Sequence, residues 1–158
     1  LLTDIMFEAA RHDGTSVVEV LQNCVIFNDG AYEYIANRQH RDDRTILLEH
    51  GKPMLFGKNK DKGLRWNLNS LEVITLGENG MGINDVLVHD AHNPDPGLHL
   101  SLAKMNWPEY PVALGVIRAA KFPTYDDLME EQIRKIKAKS PIKCMDDLLN
   151  SGDTWEVE

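Results

Sequence analysis

"TSVVEVLQNCVIFNDGAYEY", residues 15–34, decides the fold class. Val17, Val18, Val20 and Leu21 put branched or apolar side chains on both faces of an extended segment. That is the pattern of a central strand covered on both sides, as in a parallel sheet. Before it, Leu1, Leu2, Ile5, Met6, Ala9 and Ala10 recur at the spacing of one helix face. His12 and Gly14 form a natural helix stop. Helix, glycine, strand is half of a doubly wound unit. After the run comes Cys24, then a turn at Asn28-Asp29-Gly30. Ligands of open parallel sheets gather outside the carboxyl ends of the strands, which is where this reading places Cys24. Free cysteine is also often a small buried hydrophobe, and position alone favours that simpler role.

The rest of the chain reads as mixed α and β. "NRQHRDDRT" (37–45) has the alternating charge of a solvated loop or helix face. "TILLEHGKPMLFG" (45–57) predicts a strand, a turn at Gly51-Lys52-Pro53 and a second strand, followed by an exposed turn in "KNKDKG". Residues 65–76 offer one or two strands, "LEVITL" the better, and "DVLVHD" (85–90) another. "HNPDPG" breaks the chain before a helix expected over 98–105, and "PVALGVIR" (111–118) is again strand-like. The clearest helix is "PTYDDLMEEQIRKIKAK" (123–139), with Thr124 as cap and Asp127 three positions on. Tyr125, Leu128, Met129, Gln132, Ile133 and Ile136 share one face of it. A short helical piece and a tail complete the chain. The expected class is α/β: the end of a parallel-sheet domain over residues 1–35 and a mixed α/β extension over 36–158.

Composition narrows the function. The 158 residues are 42% hydrophobic and 27% charged, as in a globular domain. A net charge of −8 argues against a phosphate-backbone binder, so no nucleic acid partner is expected. No apolar run reaches the roughly 20 residues of a membrane span. Two distant cysteines make no disulfide framework, which points to a reducing, cytoplasmic setting. The uncapped helical pattern at Leu1 reads as a chain cut from a longer one, its amino-terminal part missing.

Known chemical motifs are scarce. "ENGMGIND" (78–85) lacks the spacing of a phosphate loop, and no hydrolase elbow or dinucleotide fingerprint occurs. His89 and His92 lie three apart on an extended segment, so they point to different faces and suit a polar strand end better than a shared metal. His40, His50 and His99 have no carboxylate or nucleophile arranged beside them. Cys144 receives no role. Two cysteines alone make no closed metal site.

Four phrases, "VLQNCVIFNDGAYEYIANRQHRDD", "LEHGKPMLFG", "VLVHDAH" and "GVIRAAKFPTYDDLMEEQ", taken in order, change this picture. Together they resemble the carboxyl-terminal half of the β subunit of 2-oxoacid:ferredoxin oxidoreductases, most like the 2-oxoglutarate type. The resemblance implies a thiamine diphosphate enzyme with Mg2+ and a [4Fe–4S] cluster. It implies coenzyme A-acylating oxidative decarboxylation, with electrons passed to ferredoxin and an α subunit as partner. It makes residues 1–35 the end of the thiamine diphosphate-binding domain. It also makes Cys24, in "QNCVIFN", the fourth cluster ligand, with Asn23, Phe27 and Asn28 shaping the surroundings. The family's paired-cysteine and acidic-glycine motifs do not occur here, so no catalytic residue is carried over and this chain alone is expected to be inactive. Two alternatives stay open: a non-catalytic module that contacts an α subunit, and a thiamine enzyme fold without a cluster. Which 2-oxoacid is used is not legible.

Overall fold

A computed structural model describes residues 1–155 and 157. It divides into two units, Leu1–Lys121 and Phe122–Glu158.

The first unit is built on two small sheets. Strand β1 (Thr45–Leu48) runs parallel to β5 (Val112–Gly115), with Ile46 opposite Ala113 and Leu48 opposite Gly115. Strands β2 (Leu55–Phe56), β3 (Lys62–Asn67) and β4 (Ser70–Thr75) form an antiparallel meander. The expected strands around Gly51-Lys52-Pro53 both exist, but they pair with other partners rather than with each other. In β1 alternate residues, Ile46 and Leu48, are buried, as on a half-buried sheet, whereas β3 buries the consecutive Gly63 and Leu64. Side chains from the strands and their connections form one core of Ile46, Leu48, Met54, Phe56, Leu64, Leu71, Ile74, Val86, Leu102 and Met105. Leu102 comes from helix α4 (Gly97–Ala103), close to the predicted helix.

"DVLVHD" forms no regular strand but an extended segment bonded on both sides. Leu87 N–H donates to Leu64 O at 2.8 Å, and Leu87 O accepts from Met54 N–H at 2.9 Å. Two glycines are required by crowding. A Cβ on Gly63 would lie 2.6 Å from a Val86 methyl. One on Gly115 would lie 2.5 Å from Leu48 O, at φ +98°.

The amino-terminal part differs from expectation at one decisive place. Helix α1 (Leu2–Arg11) ends where the sequence predicts. The predicted central strand after it is not formed: residues 15–23 have no ladder partner among the described residues, and Val17 is 89% exposed. A parallel strand exists only where neighbours accept its hydrogen bonds and cover both its faces, and none of the described residues does so. Short helices α2 (Glu33–Ala36) and α3 (Arg41–Arg44) then lead into β1.

The second unit holds α5 (Tyr125–Lys139) and α6 (Met145–Leu149). The predicted cap forms as a reciprocal pair. Asp127 N–H donates to Thr124 Oγ1 at 3.1 Å, and Thr124 N–H to Asp127 Oδ2 at 3.4 Å. No helix is long and apolar enough to cross a membrane among the described residues.

Candidate functional site

Cys24 sits at the mouth of a tight loop. Asn28 N–H donates to Cys24 O at 2.9 Å, which closes the turn. Asn23 clamps its two ends: its Nδ2 donates to Asp29 Oδ1 and its Oδ1 accepts from Gly30 N–H, both at 2.9 Å. Gly30 supplies the positive φ of 76° that brings its N–H round. The backbone N–H groups of Phe27 and Ile26 face the sulfur, and that of Asn28 adds to them. Against a small opposing effect of burial, they hold the thiol below its usual range by favouring the thiolate. Phe27 and Asn28 thus act through their amides, whereas Asn23 acts through its side chain. The loop's apolar side chains turn outward, Phe27 being 90% exposed.

The loss of the expected strand removes the sheet-edge reason for placing Cys24 at a ligand site. What stands instead is local: a partly exposed thiol facing three amide donors, a setting that suits a metal-bound or reactive thiolate. Cys144, the other free cysteine, is exposed at the start of α6. Among the described residues no group of three or more histidine, cysteine or acidic side chains could hold a metal ion.

Beside the loop lies an open cavity of about 410 Å³, lined by Gly30, Glu33, Tyr34, Asn37, His40 and Arg44. Arg44 is fixed there, its Nη1 donating to Tyr34 O at 3.0 Å and its guanidinium lying 4.9 Å over the Trp107 ring.

A second cluster gathers histidines from distant segments. His89 and His99 are buried, with ring centroids 6.1 Å apart. His89 Nε2 lies 2.9 Å from Val116 O. A carbonyl only accepts, so this nitrogen carries the proton, and the buried Nδ1 is left without a protein partner. Burial holds His89 below the usual histidine range. The Val116 carbonyl opposes that, His99 and His50 add to it, and Asp90 pulls back. His99 donates from Nε2 to Asp90 O at 2.8 Å, and its Nδ1 accepts from Arg118 at 2.8 Å. Arg118 also donates to Asn93 O and Pro94 O. On the outer side His92 Nδ1 donates to Ala119 O at 2.9 Å, and the His50 and His92 rings lie 4.4 Å apart.

His89 and His92 do point to different faces, as their spacing predicts, His89 being buried and His92 exposed. The sequence reading missed that His50 and His99 join them. For His50 and Arg118 the signal lay in the matched phrases: "LEHGKPM" carries His50, "VLVHDAH" carries His89 and His92, and "GVIRAA" carries Arg118, whereas His99 lies outside them. Those phrases meet in this knot, which ties residues 89–99 to residues 116–119.

Comparison with known proteins follows the same phrases. Over 99% of its length the chain is similar to a curated 2-oxoglutarate oxidoreductase subunit, in agreement with the resemblance read from the sequence. The relative is the 2-oxoglutarate oxidoreductase subunit KorB of Mycobacterium tuberculosis, 32% identical over 160 aligned residues. The chain spans 42% of that protein's length. No family model and no solved structure matches the chain.

Proposed function

We propose that the chain is the carboxyl-terminal part of the β subunit of a 2-oxoacid:ferredoxin oxidoreductase acting on 2-oxoglutarate in the cytoplasm. The observation that carries this is the 32% identity to KorB across 99% of the chain. The reaction is oxidative decarboxylation with acyl transfer to coenzyme A, and it requires an α subunit and ferredoxin. Residues 1–35 complete the thiamine diphosphate-binding domain, and 36–158 are its extension.

Within that reading Cys24 is the one residue assigned to a cofactor. When bound, a [4Fe–4S] cluster supplies one-electron transfer. Cys24 would hold such a cluster through its thiolate, and the amides of Ile26, Phe27 and Asn28 would offset the negative charge on sulfur. Asn23 keeps those amides in place by clamping the loop. No residue of this chain is assigned to thiamine diphosphate, Mg2+ or the substrate. The three other cluster ligands also have to come from elsewhere, so the chain alone does not turn over.

The competing reading is a non-catalytic assembly module, favoured by the exposed apolar side chains of Val17, Val25, Ile26 and Phe27. Iron, acid-labile sulfide and the visible spectrum of the complete subunit, purified without oxygen, separate the two. About four irons in the wild type, as a [4Fe–4S] centre requires, and loss of the cluster in Cys24→Ser support the enzyme. Equal iron in both forms, or none in either, removes Cys24 from the site and leaves the assembly module.

A further inference from the structure

Arg44 carries a half-buried guanidinium with no carboxylate partner among the described residues. The acids beside it on α3 are engaged elsewhere. Asp42 lies 3.6 Å from Arg41 Nε, and Asp43 accepts from Lys62 Nζ at 3.1 Å. Arg44 gives Nη1 to the Tyr34 carbonyl, which leaves its Nε and Nη2 hydrogens without a protein partner among the described residues. The Trp107 ring attracts the charge through its face and takes up none of those hydrogens. A partly desolvated charge without a counter-charge is costly. A guanidinium with open N–H positions is suited to a bidentate carboxylate or phosphate.

Arg44 lines the open cavity of about 410 Å³, a volume within the range of small-molecule sites. Asn37 lines it too. Its Oδ1 already accepts from Gln39 N–H at 2.9 Å, so its Nδ2 is left to donate. His40 brings a ring N–H to the same cavity. Glu33 shares the cavity yet forms no ion pair with Arg44. We propose that this cavity binds a small molecule through a carboxylate or phosphate group, with Arg44 as the anchor and Asn37 and His40 as further donors. Glu33 lowers the affinity for a bare anion and can accept from a hydroxyl group on a larger ligand. The site depends neither on Cys24 nor on a cluster, so its failure leaves that assignment untouched.

The test follows Trp107 fluorescence in the W66F/W155F form of the chain, titrated with inorganic phosphate and with acetate against a chloride balance at constant ionic strength. At least one of the two anions should change the signal saturably at millimolar concentration. Arg44→Gln should weaken that binding about tenfold or more, as the loss of a hydrogen bond to a charged group does. Arg44→Lys keeps the charge without the planar fork and should fall between. Glu33→Gln should tighten binding by removing the opposing charge. Saturation by phosphate alone identifies a phosphate ligand, and by acetate alone a carboxylate; either supports the site. No saturable change with either anion overturns it, and Arg44 is then a packing contact of Trp107. Equal affinity in wild type and Arg44→Gln overturns it as well. If Arg44→Gln loses its far-ultraviolet dichroism, the other two variants decide, and wild-type affinity in both overturns the proposal.

Discussion

The loop around Cys24 and the histidine knot around His89 are held together in different ways and face different surroundings. The loop is closed by a few hydrogen bonds and turns Val25, Ile26 and Phe27 to solvent. The knot has two buried histidines, His89 and His99, draws on four stretches of chain and leaves one nitrogen unpaired. Stability in the first unit therefore resides in residues 45–119, while the residue with a candidate chemical role sits where packing is thinnest. That separation lets a thiol stay accessible on a rigid support.

The sharpest way to break the contrast is at the glycines. Gly115→Val should cost about 4 kcal/mol or more, because its Cβ meets the Leu48 carbonyl and its φ is +98°. Gly30→Ala, with the nearest side-chain atom 3.7 Å from the built Cβ, should cost only the about 1–2 kcal/mol of a left-handed residue. Urea unfolding of both variants checks the ranking, and equal losses would put the loop inside the core. Next, Leu64→Ala removes a fully buried side chain and should cost about 2–5 kcal/mol. Val17→Ala, at 89% exposure, should stay within about 0.5 kcal/mol.

The knot should show itself in pH. His89 is depressed in the folded state, so its contribution is fully present above the unfolded histidine value of about 6.5. Below that the unfolded chain binds the proton first, and stability falls until the folded value is passed. The groups facing His89 are His99, His50 and Asp90. Urea midpoints at pH 7.5 and 5.5 should differ in the wild type and differ less in His89→Phe; an unchanged difference would rule out His89 as the source. The smallest effect lies at Cys24. Its alkylation should reach half-maximal rate at lower pH in the folded chain than in urea, and Asn23→Ala should narrow the gap. A gap untouched by Asn23→Ala would mean that the clamp does not hold the amides.

Local signals were legible. The Thr124 and Asp127 pairing depends on residues three apart and was readable in advance. So were the strands of 45–57 and of 65–76, although β3 begins at Lys62, inside the stretch read as an exposed turn. What escaped depends on distant partners. The pairing of Thr45 with Val112 has no local trace, and neither has the meeting of His50, His99 and Arg118. The error at 15–23 has the same root: Val17, Val18, Val20 and Leu21 describe a strand covered on both sides, yet Val17 and Val20 are exposed and no described strand pairs with the segment. For Cys24 the sequence pointed to a site through resemblance, while the amide donors that condition its sulfur became visible only in the fold.

The parallel pairing of β1 with β5 has a consequence in time. Those strands enclose residues 49–111, so they can join only after a long loop has closed. The hairpin of β3 and β4 turns within Leu68 and Asn69 and can form on the microsecond scale of isolated hairpins. The meander should therefore assemble first and give the late strand a surface to dock on. Trp66 reports on the hairpin, and Trp107, stacked under Arg44, on the region between α4 and β5. In refolding of single-tryptophan chains, the Trp66 signal should settle before that of Trp107.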